Sequence, residues 1–92
     1  MRLTWDPSKN ESNKAKHGLS FDAMTRFDWD FALLFETQII DGEIRDLTIG
    51  PIDARLVAVV TTERDDDTLR IVSLRPATNT EIQHWREEFQ NG

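Results

Sequence analysis

Strand-like segments joined by short connections fill the middle of this 92-residue chain. The segments, rich in β-branched and aromatic residues, are Phe31–Ile40, Glu43–Gly50, Arg55–Thr62 and Leu69–Arg75. Turn residues at 41–42, 50–51 and 65–67 separate them. Connections this short join antiparallel strands, because a parallel pair needs a longer crossover. The middle of the chain is therefore constrained to an antiparallel meander, with the nearly apolar segment Arg55–Thr62 predicted at its centre, covered on both faces.

A polar helix precedes the meander. Asp6-Pro7 is a favourable helix start, and Gly18 is a typical terminator after the cationic last turn. Between these ends only Ala15 is apolar. Burial of an apolar stripe cannot hold such a helix in place, so we expect its side chains to serve another purpose.

Two more helices and a short strand complete the predicted order. Met1–Thr4 is a candidate edge strand, and Ser20–Phe27 reads as a helix with apolar residues at three-residue spacing. A capping box from Thr78 to Glu81 opens a final helix. The prediction is one α+β domain spanning residues 1–92, in which an N-terminal helical hairpin and a C-terminal helix pack on a three- to four-stranded antiparallel sheet.

Composition excludes several classes of protein. The chain has no cysteine and only two histidines, which argues against a thiolate or zinc site, and we expect no metal and no cofactor. No apolar run is long enough to span a bilayer and no leader pattern is present, so we expect a cytoplasmic protein without membrane contact. The net charge of −6 argues against a general polyanion binder.

The charges are unevenly distributed. Residues 1–20 carry four Lys or Arg against two acids, whereas the rest carries seven arginines against fifteen acids. Contact with a phosphate backbone would therefore depend on a local patch. Lys9, Asn13, Lys16 and His17 share one side of the polar helix, where they could bind a phosphate and move a proton. The alternative is that Lys and His simply suit the negative end of the helix dipole.

Two arginines lie on the last strand. Arg70 and Arg75 are five positions apart, so strict alternation predicts opposite faces, with Arg75 beside Ile71 and Ser73. Arg75 could be a snorkelling or salt-bridged residue. Alternatively, its rigid guanidinium could stabilise the pentavalent phosphorane of phosphate transfer.

Two residues of the final helix also have two interpretations each. Glu81 either completes the capping box or acts as a general base. Trp85 either packs against the sheet or stacks on an RNA base. No serine or cysteine stands in a recognisable nucleophile motif.

These residues, taken together, resemble the signatures of the BrnT toxins. The N-terminal part is Trp5-Asp6-Pro7, Lys9, Asn13, Lys16-His17-Gly18, Ser20-Phe21 and Ala23, and the C-terminal part is Arg70 to Arg75 followed by Ala77 and Glu81. The resemblance implies a type II toxin with a RelE-like fold that cleaves RNA and halts translation. It also implies a hetero-oligomer with a BrnA-type ribbon-helix-helix antitoxin, which contacts operator DNA only as the complex.

The resemblance further implies roles for individual residues. His17, Lys16, Arg75 and Glu81 are the catalytic candidates, and Lys9, Asn13, Arg70 and Trp85 are the RNA-binding candidates. In this interpretation the substrate's 2′-hydroxyl is the nucleophile.

The chain also departs from the family pattern. Its last strand and helix are less basic than is usual in the family, and Trp85 replaces a common tyrosine. The alternative hypothesis is therefore a catalytically weak or inactive protein that binds an antitoxin and represses its operon.

Overall fold

The structure is a computed structural model that describes residues 1–65 and 67–90. In chain order the regular elements are β1 (Arg2–Thr4), α1 (Pro7–His17), two 3-10 helices (Phe21–Arg26 and Trp29–Phe31), β2 (Leu33–Ile40), β3 (Glu43–Ile52), β4 (Arg55–Asp65), β5 (Thr68–Pro76) and α2 (Asn79–Phe89). None of the helices within the described residues combines the length and apolar composition needed to cross a membrane.

The strands form one mixed sheet in the order β1-β5-β4-β3-β2. The predicted meander is present, since β2 to β5 pair in sequence as antiparallel neighbours. The predicted count of three to four antiparallel strands is wrong, because β1 adds a fifth strand parallel to β5. The aspartate turn predicted at 65–67 includes residue 66, which lies outside the described residues.

A β-bulge changes which residues of β5 share a face. Val60 of β4 pairs with Ser73, but the next residue, Thr61, pairs with Ile71, so Val72 has no direct partner. As a result Ile71 and Leu74, three positions apart, both point into the core and are fully buried. Val72, Ser73 and Arg75 face the other side of the sheet.

The core lies on one face of the sheet. Its buried members are Phe21, Met24, Phe27, Ile52, Val57, Val59, Ile71 and Leu74. The first three come from the segment predicted as the second helix of the hairpin, most of which forms a 3-10 helix. The Ser20 hydroxyl caps it by accepting a hydrogen bond from the Asp22 backbone N–H at 3.2 Å. The apolar spacing therefore predicts the buried residues, and the helix that it indicates is of the 3-10 type.

The first 3-10 helix leads into a close contact with β3. The ring of Phe27 lies over Gly50, and a β-carbon at that position would be 2.5 Å from the ring. Gly50 thus leaves space for an aromatic side chain, because any larger residue would collide with it.

Buried amides hold α1 against the rest of the molecule. Asn10 accepts a hydrogen bond from the backbone N–H of Phe21 at 2.8 Å. Asn13 accepts one from the Leu74 N–H at 3.1 Å and donates to the carbonyls of Leu74 and Leu19 at 2.7 and 2.9 Å. These contacts explain how a helix without an apolar stripe is docked.

The opposite face of the sheet is covered only in part, by α2. The indole N–H of Trp85 donates to the Phe31 carbonyl at 2.7 Å, and Phe31 and Phe89 meet edge to face. His84 contacts the ring of Phe35 in a similar geometry. The remainder of this face is open, and it carries the groups described next.

Candidate active site

An arginine and a glutamate form a two-point ion pair where β5 gives way to α2. Nη1 and Nη2 of Arg75 donate to Oε1 and Oε2 of Glu81 at 2.8 and 2.9 Å. Oε1 also accepts from the Thr78 backbone N–H at 2.8 Å, and the Thr78 hydroxyl accepts from the Glu81 N–H. The predicted capping box is therefore present, and the same carboxylate fixes the guanidinium.

The ion pair is shielded from solvent on the glutamate side. Glu81 is 5% exposed, whereas about a third of the Arg75 side chain remains accessible. Hydrogen bonds from Arg75 hold the pKa of Glu81 below its ordinary value, and those to Glu81 raise the pKa of Arg75. Glu81 is thereby kept ionised, as an orienting group requires.

Arg75 retains donors for a ligand. A guanidinium has five N–H groups in a fixed fork. Two are directed at Glu81, and Nη1 also donates to the Pro76 carbonyl at 3.3 Å. Within residues 1–65 and 67–90, Nε–H and the second N–H of Nη2 have no hydrogen-bond acceptor. These two donors lie side by side, in the geometry that matches two oxygens of one phosphate.

Arg70 lies on the same face of the sheet as Arg75. Arg70 pairs with Thr62 and Arg75 pairs with Ala58, and these two β4 residues are an even number of positions apart. The prediction of opposite faces is wrong because the bulge at Val72 shifts the alternation by one. For the same reason Arg75 does not share its face with Ile71, which is in the core.

A cleft of about 360 Å³ runs across this open face, beside Arg75. Its lining combines apolar side chains with polar ones, which include a second guanidinium and the carboxylate of Glu36. The lining residues are Glu36, Gln38, Ile40, Arg45, Leu47, Val60, Val72, Ser73 and Arg75. A cleft that combines apolar side chains with guanidinium groups suits a ligand that has both an apolar part and a negatively charged group.

Helix α1 runs along β5 towards the ion pair. β1 is parallel to β5, with Thr4 beside Arg70, and further along Asn13 contacts Leu74. From Asn13 to His17 the helix rises about 6 Å, and from Leu74 to Pro76 the strand advances about 7 Å. The end of α1 therefore reaches about the level of Pro76 along β5, and half-buried His17 lies on the same flank of the helix as Asn10.

The two lysines of α1 are exposed. Asn10 is directed towards the core side, where it binds the Phe21 N–H. Helical spacing places Lys9 and Lys16 on the other flank of the Asn13 contact, which is the flank nearer the open face. Of the predicted basic side of α1, the two lysines are free to meet a ligand.

Asn13 does not belong with them, and its predicted role in RNA contact is corrected. Its side chain is buried, and both amide hydrogens are donated to backbone carbonyls. An amide that is committed to Leu19 and Leu74 has no donor left for RNA.

Trp85 also differs from its predicted role as an RNA-stacking residue. Its N–H binds Phe31 and its ring lies 5.3 Å from that of Phe89. It is half-buried and anchors α2, as the packing alternative proposed. Nothing in its contacts directs the ring to the cleft, which is lined by other residues.

Sequence reasoning missed the cleft residues Gln38 and Arg45. Their alternation within each strand was visible, but their proximity to Arg75 depends on the register of three strand pairs. Gln38 pairs with Arg45 across β2 and β3. The alternation of polar residues along β2 and β3 identifies Gln38 and Arg45 as candidates. It does not show which face of the sheet carries the site.

Comparisons with known proteins agree with this fold. The family model "Ribonuclease toxin, BrnT, of type II toxin-antitoxin system" matches residues 5–81. The crystal structure of the Brucella abortus ribonuclease toxin BrnT is similar, with a TM-score of 0.69 and 29% identity over 86% of this chain and 99% of that one. No curated protein matches the chain. Because the matched segment spans most of the sequence, from Trp5 to Glu81, the chain belongs to the BrnT family of ribonuclease toxins of type II toxin–antitoxin systems.

Proposed function

We propose that this protein is an endoribonuclease toxin that cleaves RNA by transesterification at the end of β5 nearest α2. The observation that carries the proposal is the guanidinium of Arg75, which is fixed by Glu81 while two of its N–H groups remain free of acceptors among the described residues. Family membership supplies the class of reaction, and the geometry supports the assignment of roles.

In the proposed reaction the 2′-hydroxyl of the RNA attacks the adjacent phosphorus. A base removes the hydroxyl proton as the new P–O bond forms, and an acid protonates the 5′-oxygen as the old bond breaks. The products are a 2′,3′-cyclic phosphate and a 5′-hydroxyl. The substrate supplies the nucleophile, so the protein needs only proton transfer and charge stabilisation.

Arg75 and the lysines would supply that stabilisation. The phosphorane carries an extra negative charge, and a guanidinium that is already oriented stabilises it without reorganising. Glu81 would be a positioning residue, because both of its oxygens are hydrogen-bonded to Arg75 and its pKa is lowered. Lys16 would add charge from α1, while Lys9 and Arg70 would hold neighbouring phosphates.

His17 is the proposed acid or base. An imidazole is the side chain whose ordinary pKa suits both roles near neutral pH. His17 ends α1 one turn after Asn13, whose side chain is hydrogen-bonded to Leu74 of β5. In the proposal, proton transfer by His17 and charge stabilisation by Arg75 would act on the same phosphate.

Cleavage of a defined RNA by the purified, antitoxin-free protein tests the proposal, with and without ribosomes. We expect Arg75→Ala to lower the rate at least about 100-fold, as removal of a transition-state donor does, and His17→Ala to lower it about 100-fold. Arg86→Ala, an exposed arginine of α2, is the matched control and should leave the rate unchanged.

The nucleophile is tested on the substrate. A single 2′-deoxy substitution at the mapped cleavage site should abolish cleavage there and leave other sites unaffected. Folded protein that leaves all RNA intact under both conditions would refute the catalytic proposal, as would Arg75→Ala at full activity.

A second candidate function is supported by the charge distribution. The net charge of −6 and the exposed acids of α2 disfavour tight RNA binding. In this alternative the protein is catalytically weak or inactive and acts by binding a BrnA-type antitoxin that represses the operon. Expression without antitoxin distinguishes the two, because the nuclease should arrest growth and the His17→Ala/Arg75→Ala variant should not. Wild-type expression without growth arrest would favour the alternative.

A further inference from the structure

The two edges of the sheet are protected very differently. At one edge β1 is only three residues long, and beyond its end Asn13 of α1 occupies the backbone groups of Leu74. At the other edge β2 runs for eight residues. No strand pairs with its outer side in the described part of the chain.

The hydrogen-bonding pattern shows which groups of β2 point outward. Leu74 directs its N–H and C=O at Asn13 and hence away from β4. In antiparallel ladders the direction alternates along a strand and reverses from one strand to the next. The register leads from Leu74 through Val59 to Thr48 of β3. Applying the alternation along β3 and the reversal from β3 to β2 then places an outward N–H and C=O at both Thr37 and Ile39 of β2.

Apolar side chains accompany these free backbone groups. Ile39 is 72% exposed and lies directly opposite Ile44, which is 57% exposed. Leu34 is also 57% exposed and points to the same side of the sheet. Natural edge strands are usually blunted by lysine, proline, short length or a bulge. β2 has no lysine or proline and is eight residues long, and its one irregularity, between Leu34 and Glu36, precedes Thr37 and Ile39.

The charges along this edge are mostly negative. The β2–β3 hairpin carries Glu36, Asp41, Glu43 and Asp46 against a single arginine, Arg45. That arginine is already hydrogen-bonded to Glu43 at 3.1 Å. A second copy of this chain would bring these acids together, whereas a cationic partner would be attracted.

We propose that β2 is an interaction edge that accepts an added strand from a partner protein, in which apolar and basic residues alternate. Backbone pairing at Thr37 and Ile39 would supply affinity, and the apolar side chains of the added strand would cover Leu34, Ile39 and Ile44. Identification of the partner as the antitoxin rests on the proposed function, but the binding mode does not.

A synthetic nine-residue peptide of alternating valine and arginine, capped at both ends, is the probe. Its binding to nitrogen-15-labelled protein is followed by amide chemical shifts, which should change most at Leu34, Thr37 and Ile39. A peptide with glutamate in place of arginine is the charge control and should bind about tenfold more weakly or not at all.

Two substitutions at one position separate backbone pairing from side-chain contact. Thr37→Pro and Thr37→Val both remove the hydroxyl that donates to Asp46 at 2.8 Å, but only proline also removes the outward N–H. We expect Thr37→Pro to weaken peptide binding about tenfold, the loss that accompanies one hydrogen bond and a blocked edge, and Thr37→Val to bind as the wild type does. Ile39→Lys, which keeps the N–H and adds a like charge, should also weaken binding.

Equal binding to the proline and valine variants, or shift changes confined to other strands, would overturn the proposal. The proposal would also be overturned if the free protein formed a dimer and Thr37→Pro abolished that dimer. In that case the strand added at β2 would come from a second copy of this chain. If Thr37→Pro does not fold, Ile39→Lys takes its place. Wild-type affinity of that variant for the arginine peptide would then overturn the proposal.

RNA cleavage is measured in parallel, since Thr37 lies outside the cleft. A protein that cleaves RNA but does not bind the peptide would refute the proposed interaction edge and leave the nuclease proposal standing. A protein that binds the peptide but does not cleave RNA would refute the nuclease proposal and leave the interaction edge standing.

Discussion

Asn13 forms hydrogen bonds with both the N–H and the C=O of Leu74, although 61 positions separate the two residues. A side-chain amide has the donor and acceptor of a peptide group, so Asn13 takes the place of a strand partner where β1 has ended. This contact sets the position of α1, and therefore that of His17 and the two lysines, relative to β5.

Replacement of Asn13 should destabilise the fold. Asn13→Ala leaves buried backbone groups of Leu74 and Leu19 without partners, and we expect the free energy of unfolding to fall by about 1–3 kcal/mol. Asn13→Asp should cost more, because a carboxylate would face two carbonyl oxygens. Urea unfolding measures both, with the exposed Ser12→Ala on the same helix as the control. An Asn13→Ala protein as stable as the wild type would contradict the assigned role.

The pH dependence of stability should report on Glu81. Its pKa is lowered, chiefly by hydrogen bonds from Arg75. A carboxyl of this kind stabilises the fold fully above its unfolded pKa, ordinarily 4.5, and this contribution is lost as the pH falls through the lower folded value. Glu81→Gln should therefore flatten the loss of stability below that pH, measured by urea unfolding across the acid range. Glu88→Gln, at an exposed position of α2, is the matched control and should leave the wild-type slope.

Gly50→Ala should be destabilising although it is a small change. The added carbon would lie 2.5 Å from the Phe27 ring, which is buried and cannot move away freely. We expect a loss of about 1–3 kcal/mol in the free energy of unfolding, typical of overpacking. In a double-mutant cycle, Phe27→Leu should relieve part of that loss. Strict additivity of the two changes would show that the ring is not the obstacle.

RNA binding should depend on Lys9 and Lys16. An oligonucleotide with 2′-O-methyl groups resists cleavage and allows affinity to be measured alone. Replacement of both lysines by alanine should weaken binding and reduce the slope of log affinity against log salt by about 0.7 for each phosphate that is no longer neutralised. Lys14→Ala is the control, because Lys14 forms an ion pair with Glu11 at 3.2 Å. An unchanged salt slope in the double variant would place the phosphates elsewhere.

Much of the fold followed from local pattern. The meander and both α-helices were predictable because turns, caps and alternation are encoded by neighbouring residues. The pairing of β1 with β5 was not, since it joins residues far apart in sequence. Apolar residues at three-residue spacing suit an α-helix and a 3-10 helix alike, so the pattern at Phe21–Arg26 predicted a helix but not its type.

The site was harder to predict than the fold. Arg75 and Glu81 were each predicted as candidates, but their two-point ion pair depends on how β5 turns into α2. The shared face of Arg70 and Arg75 depends on a single unpaired residue, Val72, which carries no distinctive sequence signal. The polarity of α1 was visible, whereas the division of its polar residues into docking amides and free lysines required the tertiary contacts.

The shared carboxylate of Glu81 has a thermodynamic consequence. Its Oε1 accepts hydrogen bonds from the first turn of α2 and from Arg75 together, so fraying of that turn also releases the guanidinium. The population of molecules with an oriented Arg75 cannot exceed the population in which α2 has formed its first turn. Any ligand or crowding effect that shifts this local helix–coil equilibrium would therefore change the fraction of molecules with an oriented Arg75 without touching the cleft.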